Sequence, residues 1–206
     1  MLETAPPLPL VFFPGAGGRV EHLRPIGERL ARRRQTRLCE YPGLGGVAPD
    51  PSLRSLDDLQ RHLLARLPER FDLVAMSMGG VLALRIALAH PERLRKLVLL
   101  ATSGGVDIPA LGGIDWRDSF RRVQPNAPSW FLDERSDMTP ELGRITLPTL
   151  LIYGDADLIA PLRVGQLLQE KLGNARLEII REATHDLEID HPDLIASLIE
   201  AHLRQP

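Results

Sequence analysis

Ser77 stands in the run Ala75-Met76-Ser77-Met78-Gly79-Gly80, between two strongly apolar segments. A serine raised on a tight turn from a strand into a helix needs small residues two places before and two after it, because the backbone is crowded there. Ala75 and Gly79 meet that demand, so the run fits the G-x-S-x-G elbow with Ala in the first position. In this setting the Met78 N–H lies at a helix start, where an unpaired donor and the helix dipole favour a developing oxyanion. A second run, Pro14-Gly15-Ala16-Gly17-Gly18, follows another apolar stretch. It matches neither of the glycine patterns that cradle phosphate. Its other use is a second backbone donor for the oxyanion, for which Ala16 is the candidate. Two further loops complete the set: Gly154-Asp155-Ala156-Asp157 offers a carboxylate to orient a histidine, and Ala183-Thr184-His185-Asp186 offers the histidine. Taken alone, each segment has an ordinary explanation as a flexible turn, a cap or a solvated loop. Together, Ser77, an Asp at 155 or 157 and His185 supply a nucleophile, an acid and a base in that chain order.

The elements that must position these residues follow a strand-then-helix rhythm. Leu10–Phe13, Thr36–Tyr41, Phe71–Met76, Lys96–Ala101, Thr149–Tyr153 and Ala175–Ile180 read as strands, mostly continuous apolar runs of the kind buried on both faces. Between them, Glu21–Arg34, Ser55–Leu67, Met78–His90, Pro161–Leu172 and Pro192–Arg204 carry helical periodicity. Strands alternating with helices imply an α/β fold: a parallel sheet covered on both faces through right-handed crossovers. Ser77, Ala16, Asp155, Asp157 and His185 all fall just past strand ends, the edge where open α/β sheets bind ligands. The remaining histidines, His22, His62, His90, His191 and His202, fall in or beside helices and read as solvated or capping. The rhythm breaks between Thr102 and Leu147, a stretch that holds both tryptophans.

Composition narrows the classes. The chain has 206 residues, 44% hydrophobic and 25% charged, with 25 Lys+Arg against 27 Asp+Glu for a formal charge of −2. That balance excludes disorder and argues against nucleic acid as a partner. A single cysteine, Cys39, excludes an internal disulfide framework and most cysteine-based zinc sites. The apolar run at Leu8–Phe13 lacks a basic lead-in and is too short for a signal or membrane segment, so no membrane partner and a cytoplasmic location are expected.

The sequence resembles small members of the α/β-hydrolase fold superfamily over nearly its whole length. The resemblance is carried by the Pro14–Gly18 turn, Tyr41-Pro42-Gly43-Leu44-Gly45, Ser77-Met78-Gly79-Gly80, the segment from His90 to Leu99, Leu147-Pro148-Thr149-Leu150, Gly154-x-x-Asp157-x-x-x-Pro161 and His185. It departs from the family at Pro14, where His is common. It implies a mainly parallel sheet of about six strands, with residues 1–101 and 147–206 as the core and 102–146 as a short cap after the fourth strand. A frequent N-terminal hairpin has no room here, and a short cap suggests an open pocket. The resemblance favours Asp157 over Asp155 as the acid.

What it implies for function is acyl transfer: Ser77 attacks an ester or thioester carbonyl of a small to medium acyl substrate, His185 moves the proton, Asp157 orients His185, and the Met78 and Ala16 N–H groups hold the oxyanion. No metal or organic cofactor is required. In the cap, Trp116, Phe120, Trp130 and Phe131 either line an acyl pocket or pin the cap to the sheet. Arg117, Arg121 and Arg122 invite an acidic or phosphorylated partner such as an acyl-carrier protein. The interleaved Asp115 and Asp118 favour an ordinary solvated helix face instead. Two rival functions remain: non-ester chemistry on the same scaffold (C–C hydrolysis, elimination or transfer to an alcohol), and a binding protein without catalysis. Retention of all three polar residues argues against the latter.

Overall fold

The computed structural model describes residues 7–135 and 137–205. Six strands form one parallel sheet: β1 (Leu10–Phe13), β2 (Thr36–Leu38), β3 (Phe71–Met76), β4 (Leu94–Leu100), β5 (Thr149–Gly154) and β6 (Ala175–Ile180), in the spatial order β2-β1-β3-β4-β5-β6. The chain leaves β1 to one side for β2 and returns to the other side for β3. The β1/β3 boundary is therefore the point where the strand order reverses, and a crevice opens there at the carboxyl edge.

Side chains alternate between the faces of each strand and so build two cores. Leu10 and Phe12 of β1 join Val74, Val98 and Ile152 beneath α1 (Val20–Ala31) and α8 (Pro192–Arg204). Val11 and Phe13 join Leu73, Leu99 and Leu151 beneath α2 (Leu56–Leu64), α3 (Met78–Ala89) and α6 (Leu162–Lys171). Amphipathic α1 and α8 pack on each other and bury one stripe each, Leu23, Ile26 and Leu30 against Ile195, Ile199 and Leu203. By contrast, α3 is apolar on nearly every side and is buried from Met78 to Ala87 except at Arg85. Ser55 caps α2, its hydroxyl accepting from the Asp58 N–H at 3.1 Å.

The strands at 10–13, 71–76 and 175–180 and the last helix coincide with the sequence reading. Elsewhere the ends shift: α1 stops at Ala31 rather than Arg34, α2 at Leu64, and β2 ends as a ladder strand at Leu38, although Cys39 N–H still reaches Phe12 O at 2.9 Å. The stretch between β4 and β5 holds α4 (Arg117–Val123), α5 (Ser129–Asp133) and two 3-10 turns, Pro109–Leu111 and Thr139–Arg144. A further short helix, α7 (Leu187–Asp190), directly follows His185 and packs against α1. Among the described residues, no helix is long and apolar enough to cross a membrane.

At the opposite, amino edge of the sheet, Asp72 is wholly buried and accepts from Arg34 Nη1 at 2.8 Å and Arg95 Nε at 2.9 Å. Nearby, Lys96 donates to the carbonyls of His202 and Gln205, closing the end of α8. His202 corrects the expectation of a solvated histidine: it is buried, and desolvation lowers its pKa to about 4, so it is neutral. A buried carboxylate between two guanidinium groups holds β3, β4 and the end of the α1 segment together. Replacing Asp72 with Ala leaves those cations without their partner and is expected to destabilise the fold by about 3 kcal/mol, measured by urea unfolding.

Candidate active site

Each chemistry-bearing residue sits on a loop leaving the carboxyl edge. Ser77 follows β3 immediately and has φ 50, a left-handed conformation that a side-chain-bearing residue adopts only when its surroundings impose it. Its N–H is held by Leu100 O at 2.8 Å across the β3/β4 ladder end. The turn demands Gly79 for a specific reason: a Cβ there would lie 2.5 Å from Pro14 O and 2.8 Å from Phe13 O. The start of α3 is thereby pressed against the end of β1. Gly15 lies equally close, since a Cβ on it would meet the Met76 sulfur at 2.8 Å and Ser77 Cβ at 3.3 Å.

The other two residues come from the far side of the crevice. His185 Nε2 is 3.0 Å from Ser77 Oγ, and His185 Nδ1 is 2.8 Å from Asp157 Oδ2. Asp157 is 3% exposed, and its second oxygen accepts the N–H groups of Ile159 at 2.8 Å and Ala160 at 2.9 Å. A carboxylate fixed in this way can only accept, so Nδ1 carries the ring proton and Nε2 presents its lone pair to the serine hydroxyl. Asp155 is placed differently. It is exposed and accepts the Glu182 N–H at 2.6 Å, while Ala156 N–H reaches Ala183 O at 3.1 Å. Asp155 joins the acid loop to the histidine loop and does not touch His185's ring.

A cleft opens over Ser77 and His185 in two lobes that share those residues and the walls Trp116 and Ile159. One lobe, about 410 Å³, is the more polar of the two, with Asp107, Asp115, Arg117 and Arg135 on its walls beside Val81, Ile108 and Phe131. The other, about 330 Å³, is mostly apolar, lined by Leu23, Met76, Phe120 and Val123 and by the Ala16 loop. Of the four aromatic residues singled out between β4 and β5, Trp116, Phe120 and Phe131 reach the cleft. Trp130 lines neither lobe: it stands edge-on to Phe131, ring centroids 6.0 Å apart, and props that ring from behind. The arginines of α4 are engaged with their own neighbours. Arg117 pairs with Asp115 at 3.1 Å, Arg121 with Asp133 at 2.9 Å, and Arg122 with the Ser119 hydroxyl at 3.2 Å.

Residues 10–113 match the model of the alpha/beta hydrolase family, which spans half the chain and takes in β1, the Ala16 loop and the Ser77 turn. The chain belongs to the alpha/beta hydrolase family. It is an enzyme of that class, and curated relatives support the esterase branch. The chain is 28% identical to a pimeloyl-[acyl-carrier protein] methyl ester esterase of Aeromonas hydrophila, over 95% of this chain and 94% of the relative. It is also 28% identical to the esterase of the same name from Nitrosomonas europaea, over 85% and 88%. Among solved structures, a hydrolase from Pseudomonas aeruginosa superposes with a TM-score of 0.77 at 21% identity, covering 98% of this chain and 92% of that one.

One residue of the hydrolase's cleft carried no motif. Glu188, on α7, lines the apolar lobe yet is only 2% exposed. Its Oε1 lies 3.7 Å from His22 Nδ1, and its Oε2 has no hydrogen-bond partner among the described residues. Burial, reinforced by Asp186 and Asp190 and opposed by His185, raises its pKa from 4.5 to about 7. Only its place three residues after His185 hinted at it in the sequence. Between pH 4.5 and 7 the folded chain therefore binds a proton that the unfolded chain has released, and this group's contribution to stability falls as pH rises. Glu188→Gln removes that loss. Its stability relative to the parent, from urea unfolding, is expected to improve by about 2 kcal/mol between pH 5 and pH 8.

Proposed function

We propose that the chain is a serine esterase working through an acyl-enzyme, with Ser77 as nucleophile, His185 as general base and acid, and Asp157 as the group that orients His185. The observation that carries this reading is the continuous hydrogen-bonded line from Asp157 Oδ2 through His185 to Ser77 Oγ, at 2.8 and 3.0 Å. A free serine hydroxyl is a poor nucleophile until a base accepts its proton. Here the ester carbonyl carbon is attacked by Ser77 Oγ as His185 Nε2 takes the hydroxyl proton. The carbonyl oxygen becomes an oxyanion facing the N–H groups of Met78 and Ala16, and Asp157 stabilises the imidazolium. Collapse of the adduct breaks the C–O bond to the leaving alcohol, which departs with the proton from Nε2. Water then attacks the acyl-enzyme by the same route, releasing the acid and restoring Ser77.

The substrate class we propose is an alkyl ester of a small to medium acyl group, carried on an acyl-carrier protein as the names of the two esterase relatives suggest. A two-lobed cleft suits such a molecule, with the apolar lobe for a hydrocarbon portion and the more polar lobe, with Arg117 and Arg135 on its wall, for a polar one. Residues 102–146, containing α4 and α5, act as the cap that closes both lobes, with Trp116 between them. A reducing cytoplasm is the compartment this reading calls for, and the buried Cys39 thiol, whose pKa burial pushes up to about 12, is unreactive there.

Labelling with a fluorophosphonate tests the nucleophile. Wild type is expected to be labelled and to hydrolyse p-nitrophenyl butyrate, and Ser77→Ala to lose both; absence of labelling in folded wild type overturns the esterase reading. The acid is tested by the two aspartates in parallel. Asp157→Asn is expected to lower kcat by about 10³-fold or more, because the amide disrupts the histidine tautomer. Asp155→Asn is expected to lose less than about tenfold, since it touches neither reacting atom. A larger loss in Asp155→Asn would reverse the assignment.

A further inference from the structure

Ser77 and Met78 share one peptide unit, whose carbonyl belongs to Ser77 and whose N–H belongs to Met78. Because the unit is planar and trans, whatever fixes the direction of the Ser77 carbonyl also fixes the direction of the Met78 N–H, which points the opposite way. The Ser77 carbonyl is held by two donors: the Gly80 N–H at 2.9 Å, part of the helix's first turn, and the Thr102 hydroxyl at 2.6 Å. Thr102 lies just past the end of β4 and is completely buried. Its own freedom is removed on every side. Its Oγ1 accepts the Gly104 N–H at 3.1 Å, and its carbonyl accepts the Tyr153 hydroxyl at 2.6 Å from β5. A carbonyl oxygen can only accept, so the Thr102 hydroxyl proton points at Ser77 O. The space for this contact is made by Gly80, where a Cβ would come within 2.1 Å of Thr102 Oγ1 and 2.5 Å of its Cβ. A glycine inside a buried helix costs stability, and here it admits the threonine.

We propose that Thr102 is a positioning residue for the oxyanion hole: its hydroxyl clamps and polarises the Ser77–Met78 peptide, so that the Met78 N–H is aimed at the developing oxyanion. The inference rests on the esterase reading of Ser77. A hydrogen bond received at the carbonyl draws electron density through the amide and makes its N–H a stronger donor, a cooperative effect that grows in a water-poor site. The clamp also crosses three strands, from β5 through Tyr153, to the end of β4 at Thr102, to the turn after β3. The direction of the donor is thus set by the sheet rather than by the first turn of α3 alone. Ser77's N–H, tied to Leu100 O, anchors the other end of the same residue to β4.

The test compares Thr102→Ala with Thr102→Ser, which differ only in the hydroxyl. With p-nitrophenyl butyrate, Thr102→Ala is expected to lower kcat about tenfold with KM changed less than about twofold, and Thr102→Ser to stay within about threefold of wild type. Outright loss of a donor typically costs roughly 10²–10³, and misaiming it costs less. A trifluoromethyl ketone, which forms an oxyanion adduct with the serine, reads the hole directly. Its Ki in Thr102→Ala is expected to rise by the same factor as kcat/KM falls, a correlation that general loosening of the fold would not produce. Tyr153→Phe, which removes only the hydroxyl behind Thr102, is expected to show a smaller loss in the same direction and serves if Thr102→Ala does not fold. Wild-type kcat and Ki in Thr102→Ala, or in Tyr153→Phe where it stands in, overturn the proposal. So does a fall in kcat with unchanged Ki. If Ser77→Ala retains esterase activity, the reading of the site fails first; if Ser77→Ala is inactive and Thr102→Ala is unimpaired, only the role of Thr102 fails.

Discussion

The left-handed backbone at Ser77 is the constraint on which the rest of the site depends. A serine at φ 50 between a strand and a helix is held only if the surrounding chain removes every alternative. The sheet supplies the restraint through β4, which takes the Ser77 N–H. The Ala16 loop and the end of β1 approach so closely that only glycine fits at position 79. Those contacts in turn require β1 and β3 to be neighbours, which is the reversal of strand order that opens the crevice. The helix start, the close approach of the Pro14–Gly18 turn and the placement of Ser77 are therefore consequences of one local distortion embedded in a stiff sheet.

Around that point the molecule divides its labour. Two cores on opposite faces, both rich in Leu, Ile, Val and Phe, make the sheet a rigid support, while the loops at its carboxyl edge carry the polar groups. This is the usual economy of an α/β fold, in which chemistry is placed on loops whose ends are fixed by strands. The segment between β4 and β5 is built otherwise, from short helices held by ion pairs and by edge-on aromatic contacts such as Trp116 with Phe120 at 5.4 Å. Few of its side chains are fully buried, Phe131 and Leu132 among them.

Most of the sheet was legible in the sequence because a strand buried on both faces leaves a largely apolar run, as in Phe71–Met76, while the half-exposed edge strand Ala175–Ile180 was bounded by the turns beside it. The elbow was legible for a related reason, since strain and crowding restrict the residue types at positions 75, 77 and 79. The cap was not, because α4 and α5 are too short to display a period and take their shape from contacts with the cleft. Trp130 shows the limit of residue type as a guide: an aromatic ring near a pocket can line it or brace the ring that does, and only the packing decides. His202 and Glu188 show the same limit for charge. Each is polar in the sequence and buried in the fold, because the helices that carry them turn those positions inward. Thr102 was invisible for a third reason: a hydroxyl that bonds a main-chain carbonyl leaves no spacing rule, and its only trace was a second glycine at position 80.

Asp155 has a role of a different kind from its neighbour Asp157. Its bond to the Glu182 N–H, the Ala156–Ala183 bond and the close packing of Gly154 on Ala183, where a Cβ would lie 2.0 Å from the carbonyl oxygen, fasten the loop after β5 to the loop after β6. Asp157 and His185 therefore travel as a single cassette, delivered by two adjacent strands and welded at their tips. The segment between β4 and β5 enters the chain before β5 and is spliced outside that cassette. That segment can accordingly be exchanged or lengthened while the spacing between Asp157 and His185 is inherited intact.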